Sequence, residues 1–189
     1  GETLFIPPTI TSTDGSNARK KIEMLLISPV VTSDNQIIAV ISLMINPPNN
    51  LAQLIRSPGR WATEDIYAFD QTGRMVTPSK FNTQLKEIGF LKSDTSSALT
   101  LDLKNPGGDL TMGFQPQIPR SEQPLTRLAE KAIELRRQLA DKQIMYGASS
   151  MEEDMHGYRD YRGVPVFGAW LWNTDLDLGL AAEIDIEEA

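Results

Sequence analysis

GYRDYRGVPVFGAWLWNTDLDLGLAAEIDIEEA, residues 157–189, is the stretch from which the fold of this chain can be read. Two clusters of turn-forming residues, Arg162-Gly163 and Asn173 to Asp177, divide it into three runs: Gly157 to Tyr161, Val164 to Trp172 and Leu178 to Ile184. Short runs rich in aromatic and branched residues, bounded by Gly, Asn and Asp, read as strands joined by turns. Consecutive strands with such short connections pair antiparallel. Because side chains alternate along a strand, Trp170 and Trp172 share one face, as do Glu183 and Asp185.

Upstream, Pro124 to about Ala140 is predicted to form the one long helix. Leu125, Leu128, Ala129, Ala132, Ile133 and Leu139 lie on one face, and Arg127, Glu130, Lys131, Glu134 and Arg137 on the other. Asp65 to Phe69 and Arg74 to Thr77 flank Asp70-Gln71-Thr72-Gly73, where Asp first and Gly fourth suit a type I turn. Ser79 is placed to cap a helix carrying Phe81, Leu85 and Ile88, with Gly89 as its left-handed stop. Leu99 to Leu103 alternates like a strand, and Asn105-Pro106-Gly107-Gly108 breaks the chain. Residues 141–156 are polar and show no clear period.

The first third is β-like. Thr3 to Thr11, Ile22 to Val31 and Ile37 to Ile45 read as strands, the last two joined by the turn-forming cluster Thr32-Ser33-Asp34-Asn35. A loop is expected around Asp14 to Asn17. Pro47 and Pro48 end the third strand, and Asn49 or Asn50 caps a short helix with Leu51, Leu54 and Ile55. Ser57-Pro58-Gly59 marks a domain boundary, giving domains at 1–60 and 61–189. The predicted class is α+β, an antiparallel sheet flanked by helices in each of two modules. No repeat at a fixed period relates the two.

With 40% apolar and 23% charged residues, the composition is that of a globular protein. The net charge of −7 repels phosphate backbones and anionic headgroups, so neither nucleic acid nor an anionic membrane surface is expected as a partner. The absence of cysteine removes disulfides, thiolate nucleophiles and cysteine-ligated metals. No apolar run is long enough to span a bilayer. The chain, opening on Gly1 and Glu2, reads as a piece of something longer.

Several constellations bear on function. Tyr158, Asp160 and Arg162 would share one strand face and Arg159 and Tyr161 the other. A guanidinium beside aromatics can read a carboxylate, while the plainer reading is a solvated strand end with an ordinary ion pair. Trp170 and Trp172 can floor a pocket or pack a core. Tyr67 and Arg74, on the opposed hairpin, can face the same space. The candidate ligand contacts are therefore Tyr67, Arg74, Tyr158, Arg159, Tyr161, Trp170 and Trp172. Glu152, Glu153, Asp154 and His156 have no recognised metal-ligand spacing and read as a charged loop, so no metal is expected. Glu183 and Asp185 read as a surface ladder rather than a catalytic pair. No nucleophile elbow, phosphate loop or Ser/His/Asp trio is present, so neither catalytic residues nor a cofactor are expected.

The closing segment resembles the end of a double Cache sensor domain, a tandem of PAS-like modules found in bacterial transmembrane receptors. Tyr161, Gly163 and Val166 match the family's turn, and Trp172, Gly179, Leu180, Glu183, Ile184, Asp185, Glu188 and Ala189 match its close. Glu64 to Phe81, EDIYAFDQTGRMVTPSKF, is similar to the opening hairpin and helix of the membrane-proximal module. Met24 to Pro47, with Pro29, Val30, Ile38, Ala39 and Val40, is similar to the last hairpin of the distal one. The resemblance implies that residues 1–60 are the C-terminal half of a membrane-distal module and 61–189 a membrane-proximal one. The family's long N-terminal helix and the start of its distal module have no counterpart here. It also implies an extracytoplasmic location, periplasmic or cell-surface, within an inner- or plasma-membrane protein. Further implications are a homodimeric receptor, an amino acid or organic acid ligand, and a cytoplasmic output domain such as a histidine kinase, cyclase or chemoreceptor. The family's ligand motif lies largely in the part without a counterpart. A sensor is thus the first reading, a structural, dimerisation or protein-interaction spacer the second, and a hydrolytic enzyme the third.

Overall fold

The computed structural model describes residues 3–12, 20–45, 51–55, 60–141 and 151–189. The chain divides into two compact units, Gly1–Leu54 and Ile55–Ala189. The loop expected at 14–17, the caps at Asn49 and Asn50 and the break at Ser57-Pro58-Gly59 lie outside the described residues.

The first unit holds three antiparallel strands in sequential order: β1 (Leu4–Ser12), β2 (Lys20–Val31) and β3 (Ile37–Ile45). The β2–β3 turn closes where its residues predict. Thr32 N–H donates to Gln36 O at 2.9 Å, and Thr32 Oγ1 accepts from Gln36 N at 3.1 Å. Asn35 takes the left-handed conformation (φ 63°) that Asn tolerates. A helical turn, α1 (Ala52–Ile55), lies at the end of the unit. β3 is apolar on both faces, a pattern that normally marks a strand covered on both sides. Here it is an edge strand, and Ile37, Ile38, Val40 and Ile41 are each about 60% exposed.

The second unit is built on a four-stranded antiparallel sheet from β4 (Asp65–Phe69), β5 (Met151–Arg159), β6 (Pro165–Asn173) and β7 (Leu178–Asp185). Their order is β4-β7-β6-β5, so the last strand lies inside the sheet. The register places three rows across the core face: Phe69, Gly179 and Trp172; Tyr67, Ala181 and Trp170; Asp65, Glu183 and Gly168. In the first two rows β7 offers only Gly or Ala between large rings. A Cβ at Gly179 would run into the Phe69 ring. The rings of Phe69 and Trp172 meet edge to face with centroids 6.0 Å apart, a favoured aromatic geometry.

α2 (Asn82–Glu87) and α3 (Arg127–Asp141) are the helices of this unit. α3 packs on β6 and β7 through the face predicted for it, burying Leu128, Ala129, Ala132, Ile133, Leu135 and Leu139. It starts three residues later than the sequence suggests, because Leu125 is held in an extended bridge to Lys104. Arg136 fastens its outer side through two hydrogen bonds to Asp177 (2.7 and 2.8 Å), and Asp177 also accepts from Trp172 Nε1. Three further expectations are corrected. Leu99 to Leu103 forms one isolated bridge, Asp102 to Arg74, with Leu99 at φ 55°. Ser79 does not cap α2, whose N-terminal residue Phe81 has no side-chain cap; its hydroxyl turns into the core. The strand expected at Gly157 to Tyr161 begins at Met151 and ends at Arg159, and 160–163 is a turn.

An edge strand with both faces apolar is a self-association site. Val40→Lys combined with Met44→Lys is expected to lower concentration-dependent light scattering without lowering Tm, since both side chains are exposed.

Candidate functional site

The third row of the sheet is polar. Asp65 and Glu183 stand directly opposite each other on β4 and β7, an arrangement that like charges disfavour. Both are buried, and both are saturated with hydrogen bonds. Glu183 Oε2 accepts from the Tyr67 hydroxyl and Oε1 from the Tyr158 hydroxyl, each at 2.7 Å. Asp65 Oδ2 accepts from Tyr161 Oη at 2.6 Å and from Ser79 Oγ at 3.0 Å, and Oδ1 from Lys80 N–H at 2.9 Å. Burial raises the Glu183 carboxyl to about 8, reinforced by the charges of Asp160 and Asp65 and opposed by the two tyrosine bonds. Gly168 makes the array fit: a Cβ there would occupy the place of the Tyr158 hydroxyl.

Beside it lies a buried ionic cluster. Arg162 donates to Asp160 at 2.6 Å and to Asp185 at 2.5 Å, and its guanidinium stacks 3.7 Å from the centroid of Phe81. Asp160 also accepts from the backbone N–H of Arg162 and Val164. Burial raises Asp160 to about 6, against the pull of Arg162. Glu188 secures the end of the chain by accepting from Ala62 N–H and Thr63 N–H at 2.7 and 2.6 Å.

Five of the seven residues singled out in the sequence converge here. Tyr67, Tyr161, Trp170 and Trp172 belong to the core cluster, and Tyr158 packs against it. Tyr67 and Tyr161 meet edge to face at 5.8 Å, as do Tyr158 and Trp170 at 6.5 Å. The other two lie elsewhere. Arg74 is exposed and pairs with Asp102 at 2.7 Å, and Arg159 donates to Gly163 O at 2.7 Å. Of the supposed charged loop, Asp154 is buried on β5 and pairs with Arg127 at 2.8 Å, while Glu152 accepts from Trp170 Nε1 at 3.2 Å. The surface-ladder reading of Glu183 fails because β7 is an interior strand.

Among the described residues of the second unit, two concavities stand out. One, about 400 Å³, is lined by Trp61, Phe167, Ala169, Ala182 and the acidic Glu64 and Glu153. The other, about 530 Å³, is formed by loops between 88 and 123 and holds Arg120, which the sequence reading missed. Arg120 sits in a stretch without helical or strand period, so nothing in the pattern marked it. Its guanidinium lies 4.4 Å from the Phe90 ring centroid. It donates to Asp102 O at 2.6 Å, Gln123 Oε1 at 3.3 Å and Tyr161 O at 3.4 Å. Burial lowers it to about 10, which leaves it charged at neutral pH.

Taken together, the second unit is an α+β module with a filled interior and an open cavity among its loops. Among solved structures, the chain is similar over its whole length to the periplasmic sensory domain of the Campylobacter jejuni chemoreceptor Tlp1, at 12% identity and a TM-score of 0.46. It spans 50% of that chain. No family profile matches the sequence, and no curated protein does.

Two outcomes follow from the polar row. Gly168→Ala displaces the Tyr158 hydroxyl and leaves Glu183 Oε1 without its donor, a loss of about 1–3 kcal/mol seen as a lower Tm. Glu183 has a folded pKa of about 8 against 4.5 unfolded, so the folded state holds its proton more tightly. The stability it contributes is complete below pH 4.5 and is lost as pH rises to about 8. Urea unfolding across that window should show falling stability, and Glu183→Gln, which cannot ionise, should flatten the fall.

Proposed function

We propose that this chain is the extracytoplasmic sensory region of a membrane-bound signalling receptor, in which a ligand held by the second unit alters the end of the last strand. One observation carries this reading. Arg120 lines the loop cavity and binds the carbonyl of Tyr161, while the next residue, Arg162, anchors Asp185 at the end of β7. Occupation of the cavity would thus bear on the polypeptide that leaves the unit. A ligand acts this way only through different affinities for two packings of these loops.

On this reading residues 1–60 are the C-terminal half of a membrane-distal Cache module and 61–189 the membrane-proximal module. The exposure of β3 supports an incomplete first module, since a strand apolar on both faces calls for covering structure. The receptor is a homodimer whose cytoplasmic output is a histidine kinase, a cyclase or a chemoreceptor signalling domain, and its ligand is an amino acid or organic acid. The buried aromatic and carboxyl array transmits the change rather than touching the ligand.

A second reading, a spacer or protein-interaction module, is supported by a different observation: Tyr67, Tyr161 and Trp172, three of the large rings of the unit, are fully buried in its core. The two are separated by a thermal-shift screen of the purified chain against amino acids, organic acids, polyamines and divalent metals. A ligand of the folded state should raise Tm with concentration, by roughly 2.7 kcal/mol of stability at a hundredfold excess over Kd. The sensor reading also expects that ligand to change amide exchange in residues 178–189. A flat screen favours the spacer.

A further inference from the structure

The loop cavity has an unusual charge for this protein. The chain carries a net charge of −7, yet Arg120 is the cavity's sole charged lining residue. A buried guanidinium is normally paired with a carboxylate. Among the described residues Arg120 has no ion pair, although five other arginines or lysines do. Its acceptors are two backbone carbonyls and an amide oxygen. A guanidinium has five N–H donors. Nε donates to none of these acceptors, and Nη2 donates to one, so Nε–H and one Nη2–H are without a partner among the described residues. Free N–H groups on a buried guanidinium can form charge-assisted bonds to a carboxylate, the partner that Arg120 lacks among the described residues.

The rest of the wall selects what the carboxylate is attached to. Ile88, Leu110, Phe114, Pro116 and Ile118 give it an apolar side, while Thr111 and Gln115 add uncharged polar groups. Gln123, also on the cavity wall, accepts from Arg120 and donates to Ile118 O, which fixes the guanidinium in place. There is no second cation for a dicarboxylate and no lining acid for the ammonium of an amino acid. A volume of about 530 Å³ falls within the ordinary range for small-molecule pockets.

We propose that this cavity binds a small monocarboxylate with an apolar body, its carboxylate on Arg120 and its body against Phe114 and Ile118. The inference rests on the sensor reading for its purpose and names the ligand class that reading leaves open.

The test is calorimetric and NMR titration of the intact chain with sodium benzoate, sodium hexanoate and neutral benzamide. At least one of the carboxylates should bind saturably, benzamide about tenfold more weakly than benzoate or not at all, and the amides of Gly89, Thr111 and Gly113 should shift. Arg120→Gln should weaken binding by at least about tenfold, and Arg120→Lys by less, because an ammonium keeps the positive charge though not the planar fork. Should Arg120→Gln fail to fold, Ile118→Glu serves instead. This side chain is about half exposed, and a carboxylate there would pair with Arg120 and compete with the ligand. Equal binding of benzoate and benzamide overturns the inference. So does unchanged affinity in both variants, or no saturable binding of either carboxylate. If these titrations fail while another compound class raises Tm, the carboxylate site is wrong and the sensor reading stands. If both fail, the sensor reading falls as well.

Discussion

β7 is hydrogen-bonded on both sides, and its core face reads Gly179, Ala181, Glu183. Neighbouring strands lie about 4.8 Å apart, so rings projecting from both flanking strands crowd the strip between them. Two small residues leave that strip open, and Phe69, Trp172, Tyr67 and Trp170 close over it. At the third position the strand turns from small to carboxylic. The space there comes from Gly168 on β6, which lets the Tyr158 hydroxyl reach Glu183. A carboxyl enclosed this way needs a proton, a cation or hydrogen-bond donors. Glu183 takes the hydroxyls of two tyrosines, whereas Asp160 nearby takes Arg162. The rest of the unit is arranged around this one strand: α3 against its aromatic half, and the turn at 160–163 against its polar half.

How much of this was legible depended on where the determining contacts lie along the chain. β6 and β7 were readable because turn residues bound them and their alternation is local. α3 was readable because its period is local too. β5 was misplaced because its first half, Met151 to His156, is charged, and a sheet edge tolerates charges that an interior strand does not. Leu99 to Leu103 alternates well and shares three backbone hydrogen bonds with Gly73 and Met75, but Leu99 in the left-handed conformation breaks the extended run before a strand can form. The site was legible only in part. Its aromatic residues stand out in the sequence, but their partners Asp65, Ser79 and Glu183 come from segments far apart in the chain. Ser79 illustrates the problem: a local rule assigns it to a helix cap, and tertiary hydrogen bonds to Asp65 and Tyr161 outcompete that role.

The first unit poses the reverse case. Its strand boundaries follow from the sequence, and β3 falls at its predicted limits. The burial implied by its composition is missing. Burying an isoleucine or valine side chain is worth roughly 1.5–3 kcal/mol, and β3 leaves several in water. A sheet left this way gains free energy from any surface that covers it, which makes the state of this unit depend on its partners. The second unit has no such debt on its core face, where the side chains of α3 and the loops complete the packing.

The charge of the chain and the charge of its loop cavity act at different ranges. At physiological ionic strength the field of exposed carboxylates is screened within about 8 Å. A net charge of −7 therefore slows the approach of an anion but contributes little once the anion is inside. Inside, Arg120 meets it with donors already fixed by Gln123, Tyr161 and Asp102, so little order is lost on contact. The apolar wall adds affinity in proportion to the area it takes from water, which favours a ligand with an apolar body over acetate. The same wall penalises a second charge on the ligand, which would lose its water without gaining a partner. Selectivity in such a site comes less from attraction to one carboxylate than from the cost imposed on everything else a soluble metabolite carries.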